Sequence, residues 1–168
     1  KMESKGSRIG IIFNGSPLFT GDSGSGESEI RKWIIENDWL ECIVSLPDKL
    51  FFNTGITTYI WVLNNKKSIK REGKIQLING STFGKSTRKN LGDKSNFIDE
   101  ESRMKILELY LNNGESEYSK LFKNEFFGYT KITIEQPLMD DDGNIVKDKQ
   151  GNPKPDSTKR ENERVPLE

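Results

Sequence analysis

Histidine does not occur in the 168 residues, and cysteine occurs once, as Cys42. The first absence removes Ser-His-Asp and Cys-His catalysis and the commonest metal ligand. The second rules out an intrachain disulfide, which suits a reducing cytoplasm. One thiol without an imidazole also makes no structural zinc site. Net charge is absent too, because 26 Lys and Arg balance 26 Asp and Glu. A self-sufficient DNA binder is usually basic, so nucleic-acid contact here has to be local or shared with a partner. No apolar run approaches the roughly 20 residues that cross a bilayer, and no membrane is expected as a partner. The opening KMESKGSRIGIIF has too short an apolar stretch, and no cleavage pattern, for a signal peptide. Lys1 precedes Met2 and a strand pattern starts a few residues later, so the chain reads as an excerpt of a longer protein.

Apolar residues are scarce, at 32% against 31% charged. The core has to be lean, and part of the chain is expected to stay unpacked. What is there begins with strand-length apolar runs. RIGIIF (8–13) stops at the turn chemistry of NGSP (14–17). A helix follows the flexible GDSGSG, with Ser25 or Gly26 near its N-cap and Glu27 and Glu29 suiting the dipole of its first turn. Ile30, Trp33 and Ile34 give that helix one apolar face, and Asn37-Asp38 ends it. LECIVSL (40–46) reads as a strand, PDKLFFNTG as a loop, and Thr57 to Leu63 as a buried strand rich in β-branched and aromatic residues. Lys74 to Ile78 is a further strand, and Ser81 to Asn96 a polar, basic loop. Asp99 caps a second helix through Asn112, with Leu107, Tyr110 and Leu111 on one face and Asn113-Gly114 as its stop. Tyr118 to Phe122 suggests a helical turn, and KITIE (131–135) a half-buried strand with Ile132 and Ile134 inward. Beyond Pro137 the polar segment with its repeated G-N reads as a linker, a small hairpin or a disordered tail. Strands alternating with helices in the first third predict an α/β sheet.

Four stretches invite a functional reading. GDSGSGESE carries neither G-K-[ST] nor a G-x-G-x-x-G after a strand, so it reads as a flexible connection rather than a phosphate loop. Asp140-Asp141-Asp142 before Gly143 has the wrong spacing for an EF-hand and reads as a solvated turn, not a metal site. Lys85, Arg88 and Lys89 form a basic cluster that supplies salt-dependent phosphate contact or an ordinary surface. Phe51 and Phe52 lie in a loop just before a strand, where burial is not guaranteed. They serve either as core anchors of the loop or as a platform for a base taken out of the helix, since base–aromatic stacking is worth about 1–3 kcal/mol.

The succession RIGIIFNGSPLF, SEIRKWIIEND, LECIVSLPDKLFFNTGITTYIWVLNNKK, GKIQLINGSTF, KSTRKNLGDKSN and NEFFGYTKITIEQPL resembles the modification subunit of type I restriction-modification systems. The likeness runs from about Arg8 to Leu138, and more loosely into KPDSTKRENERVPL. That subunit is an adenine-specific DNA methyltransferase using S-adenosylmethionine. The resemblance implies part of a Rossmann-like methyltransferase sheet with an irregular C-terminal extension. Arg8–Phe13 would be its fifth strand, Leu40–Leu46 its sixth, and Thr57–Leu63 a reversed seventh strand lying between them, antiparallel to both. Residues 1–80 would be the C-terminal half of that sheet, 81–138 a helical or irregular extension with a short strand, and 139–168 a polar linker or tail.

The family's glycine-rich cofactor loop and its [DN]-P-P-[FYW] motif are both missing, since the prolines of NGSP and SLPD are not doubled. The resemblance therefore implies no catalytic or cofactor-binding residue in this chain, and S-adenosylmethionine and methyl transfer only in a full-length enzyme. By the same resemblance Phe51, or Phe52 one residue on, would stack on the flipped adenine, with Asn53, Thr54 and Gly55 shaping the turn. The implied partners are DNA, a specificity subunit and a restriction subunit. An unpaired edge on the first strand would be covered by self-association or by the tail. Two readings compete: a non-enzymatic α/β interaction module whose apolar loop docks a protein, and a restriction enzyme with fused methylation and cleavage. An N-P-P-[FY] motif upstream separates the enzyme from the module.

Overall fold

The computed structural model describes residues 3 and 5–167. Lys1 and Met2, on which the reading of an excerpt rests, lie outside the described residues. The chain divides into two compact units, one ending at Asn124 and the other beginning at Glu125.

The first unit is built on a mixed five-stranded sheet in the order β1-β3-β2-β4-β7. Its strands are β1 (Arg8–Asn14), β2 (Leu40–Ser45), β3 (Thr58–Asn64), β4 (Lys74–Asn79) and β7 (Ser119–Lys123). β3 lies between β1 and β2 and is antiparallel to both, as the resemblance implied. β2 and β4 are parallel, and β7 closes the far side antiparallel to β4. The stretch expected as a helical turn at Tyr118 to Phe122 is therefore strand from Ser119 onward. The pairing with β4 decides it, and Ser119 is buried there with its hydroxyl accepting from Gln76.

The turn NGSP leads into a single helical turn, α1 (Ser16–Phe19). α2 (Gly26–Glu36) starts where Ser25 accepts the Ser28 N–H, and the chain leaves it through Asp38 at φ 56. α2 buries no residue within this chain, and Trp33 of its apolar face is 54% exposed while meeting Trp39 edge-on. α3 (Glu100–Asn112) is capped by Asp99 and stopped by Asn113 in the left-handed conformation. Its packed face is Ile106, Leu109 and Tyr110, set against Cys42, Val44 and Ile78 of the sheet. Leu107 and Leu111 point outward instead, because the helix turns its 106–109–110 stripe to the sheet. The core is as lean as the composition predicts. Cys42 lies fully inside it, and burial pushes its thiol up to about 12.

Glu41 locks one end of this sheet. A β-bulge between Leu40 and Cys42 makes three successive residues buried and turns the Glu41 carboxylate inward at 1% exposure. It accepts from Asn64 (2.6 Å) and from the Tyr110 hydroxyl (2.8 Å), and it pairs with Arg8 and Arg71 at 3.3 Å each. Arg71 also donates to Gln76 and to the Tyr110 carbonyl, and its guanidinium lies over the Tyr110 ring.

The basic stretch expected as a loop is a hairpin, β5 (Lys85–Leu91) and β6 (Lys94–Phe97). Its two-residue turn, Gly92-Asp93, puts the glycine where positive φ is required, at +64.

In the second unit β8 (Tyr129–Pro137) pairs with β9 (Pro155–Pro166) as a long antiparallel hairpin. The polar tail is thus ordered, because pairing β9 with β8 satisfies its backbone without an apolar core. Ile132 and Ile134 lie exposed on this hairpin rather than inward. Two Asp-x-x-Gly-Asn turns join the strands. Asp140 accepts from the backbone N–H of Asp142 and Asn144, and Asp148 from those of Gln150 and Asn152. Between the turns the backbone closes a ring of three bonds: Leu138 N–H to Lys154, Lys154 N–H to Val146, and Val146 N–H to Leu138. In the first unit the outer edge of β1 has no strand partner among the described residues, and Ile12 on β1 is 54% exposed.

Burial raises the Glu41 pKa, but the bonds from Asn64 and Tyr110 and the charges of Arg8 and Arg71 outweigh it and hold the carboxyl below its usual range. A depressed carboxylate stabilises the fold above its unfolded value, about 4.3, and loses that effect as pH falls through the folded value. Glu41→Gln is expected to lower stability at pH 7 by about 3–5 kcal/mol in urea unfolding, with the gap to the parent narrowing below about pH 4. A loss under about 0.5 kcal/mol at pH 7 would show that the cluster does not lock the sheet.

Candidate nucleic-acid interface

β1, β2 and β4 run in one direction, so their C-terminal ends share one edge of the sheet. This is the edge at which α/β sheets offer a crevice to ligands. The loop after β2 and the hairpin after β4 both emerge there.

The loop is a narrow hairpin in its own right. Leu46 N–H bonds the Thr58 carbonyl, Lys49 N–H the Gly55 carbonyl, and Phe51 bridges Thr54. Phe52 and Asn53 are left as its two-residue tip. Phe51 is half-buried, whereas Phe52 is 61% exposed. The Thr54 hydroxyl accepts from Ile56 N–H at 3.4 Å, and Asn53 is exposed. Gly55 keeps a negative φ, and a Cβ there would meet only Lys49 at 3.7 Å, so neither close approach nor a left-handed backbone calls for glycine.

The β5–β6 hairpin lies against this loop. Asp93 N–H donates to the Phe52 carbonyl (3.0 Å), and Ser95 and Asn96 N–H both donate to the Lys49 carbonyl (3.1 Å). The Asn96 amide donates to the Asp48 carbonyl and carboxylate. Pro47, at the loop's start, is fully buried, and a Cβ on Gly84 would stand 2.8 Å from its Cβ. The structure therefore unites the aromatic loop with the basic cluster, two features far apart in sequence.

The three basic residues of the cluster part company. The Lys85 ammonium is held by Asp99 and Glu101 at the start of α3, and the same contact keeps Asp99 low, at about 2. Arg88 and Lys89 are exposed and make no ion pair among the described residues. Lys94, which sequence reasoning passed over, places its ammonium 5.0 Å from the centre of the Phe52 ring. The signal for it was the L-G-D-K turn, a two-residue hairpin pattern inside a stretch that composition alone marks as loop.

The N-6 DNA Methylase family model matches residues 1–134. The MjaVII methylase subunit of a type I restriction enzyme from Methanocaldococcus jannaschii is 37% identical over 106 residues, which is 62% of this chain and 17% of that protein. The HindI methylase subunit from Haemophilus influenzae is 42% identical over 74 residues, 44% of this chain and 16% of its own length. The type I methyltransferase subunit from Streptococcus thermophilus matches as a structure with a TM-score of 0.60 at 26% identity, over 70% of this chain and 23% of that one. The chain thus spans about a sixth of the length of these two curated relatives.

The seam between loop and hairpin can be tested at Gly84. Gly84→Ala forces a methyl group onto Pro47 and is expected to cost about 1–3 kcal/mol in denaturant unfolding. An unchanged midpoint would mean that the two segments are not packed as described.

Proposed function

The chain belongs to the N-6 DNA Methylase family, and from that premise we propose that it is part of the catalytic subunit of a type I restriction-modification system. In this reading the full-length protein transfers a methyl group from S-adenosylmethionine to the exocyclic amine of adenine in DNA. It works in the cytoplasm beside a specificity subunit that reads sequence and a restriction subunit that cleaves. The observation that carries the reading is β3, reversed between β1 and β2, with an exposed aromatic tip at its entry and a basic hairpin alongside.

The residues present do not make a site for S-adenosylmethionine. The glycine-rich GDSGSG is committed to starting α2, where Ser25 caps the helix. Neither of its neighbouring prolines is doubled, and Pro47 is buried against Gly84. The contribution of this chain is confined to the DNA side. Phe52 offers a ring face to an extruded base, where stacking is worth about 1–3 kcal/mol. Phe51 and its bridge partner Thr54 anchor the loop, Asn53 forms its tip with Phe52, and Arg88 and Lys89 meet phosphate. The role thus passes from Phe51, which the resemblance favours, to Phe52, whose ring is exposed. The open edge of β1 is where the rest of the sheet attaches in the full-length protein, and where two copies of the isolated chain would meet.

The 168-residue chain is expected to incorporate no methyl groups into unmethylated bacterial genomic DNA with tritiated S-adenosylmethionine. The full-length complex does so, and its Phe52→Ala variant is slowed about five- to a hundredfold. Robust methylation by the short chain, or full activity in Phe52→Ala, refutes the respective claim. An upstream sequence without N-P-P-[FY] refutes the enzyme reading altogether.

Replacing Arg88 and Lys89 together by Ala should weaken DNA binding and flatten the log affinity against log salt slope by about 2, at roughly 0.9 per phosphate contact. An unchanged slope takes phosphate contact away from this hairpin.

A further inference from the structure

We propose that the β5–β6 hairpin positions the aromatic tip, with Lys94 as the residue that fixes the Phe52 ring. The inference rests on the reading of Phe52 as the base platform and adds how that platform is held. Three independent contacts carry it. The first is backbone on backbone. The Gly92-Asp93 turn bonds the Phe52 carbonyl, and a Cβ at Gly92 would stand 2.4 Å from that oxygen, so only glycine lets the two tips meet.

The second contact is conformational. Lys49 sits at φ 53, a left-handed backbone that residues with a side chain adopt uncommonly. Its carbonyl is held there by two N–H groups of β6, from Ser95 and Asn96. A strained residue persists only where its surroundings over-determine it, and here those surroundings are the hairpin. The third is the ring itself. The half-buried Lys94 sets its ammonium 5.0 Å from the Phe52 centroid, within cation–π range. A ring gripped on one face by a cation has one orientation to offer on the other.

Arg88 and Lys89 stand on the same hairpin as Lys94. Phosphates caught by the first two are therefore placed at a set distance from a ring held by the third. Backbone capture and base stacking become a single docking event rather than two.

A double-mutant cycle in the full-length complex tests this, with unmethylated bacterial genomic DNA and tritiated S-adenosylmethionine as probes. At saturating DNA, Lys94→Met is expected to slow methyl incorporation about two- to fivefold, and Lys94→Arg to restore it. In a Phe52→Ala background Lys94→Met adds nothing, because its target is gone. If Lys94→Met costs the same factor in both backgrounds, or if its whole effect lies in DNA affinity, Lys94 is a phosphate contact and the proposal fails. A second measurement is independent of the base-platform reading. Amide exchange at Phe52 to Ile56 should quicken in Gly92→Ala without DNA. Unchanged exchange overturns the positioning role even if Phe52→Ala is inactive, whereas faster exchange with a fully active Phe52→Ala leaves the positioning intact and removes the platform.

Discussion

A carboxylate taken out of water is costly unless its partners replace the lost hydration. Glu41 meets that condition with four partners from different parts of the first unit: Arg8 on β1, Asn64 at the end of β3, Arg71 in the turn before β4, and Tyr110 on α3. Each of them has one place in which the anion is satisfied. The bulge that turns Glu41 inward thereby sets the register of β2 against β3 and the seating of α3 on the sheet. A second, partly buried pair extends the lock. Lys67, with its amine inside, holds Asp38 at 2.6 Å, and Asp38 in turn accepts from Gly73 and Asn124. Apolar burial is modest in this chain, and charge pairing supplies the specificity that a larger core would otherwise give.

Those locks lie at one end of the sheet, and the candidate interface lies at the other. The division follows from strand direction. β2 and β4 begin among the buried charges and end beside the loop and the hairpin. Ionic groups at the rigid end are committed to each other. At the open end Arg88, Lys89 and Phe52 are all exposed. A protein of zero net charge can thus present a local basic surface, because the charges balance over the whole sequence and not on each face.

The order of β1, β3 and β2 was legible in the sequence, and so were the caps at Ser25, Asp99 and Asn113, because each depends on local chemistry or on a distinctive run of residues. The hairpin at 85–97 was missed because Lys, Ser, Arg and Asn mark loops by composition, and only the turn L-G-D-K betrays it. β7 was missed for a different reason: its strand state comes from an edge supplied by β4, which no local window contains. The face of α3 was misjudged by one step of the helix, since Leu107 and Ile106 are equally apolar and only the sheet chooses between them. At the interface Phe51 and Phe52 were indistinguishable by type. The bridge from Phe51 to Thr54 separates them. The L-G-D-K turn marks Lys94 as the start of a strand, but nothing marks it as a partner of the Phe52 ring until the two hairpins are brought together.

The ring of three main-chain bonds through Leu138, Val146 and Lys154 has a consequence for how this region changes over time. Its shape is written mainly in peptide groups, with Asp140 and Asp148 accepting backbone N–H bonds and Gly143 and Gly151 at positive φ. Asp141, Asp142, Lys149 and Gln150 are solvent-facing ornaments on that frame. Such a region is free to alter what it shows its surroundings, generation after generation, while its own geometry stays put.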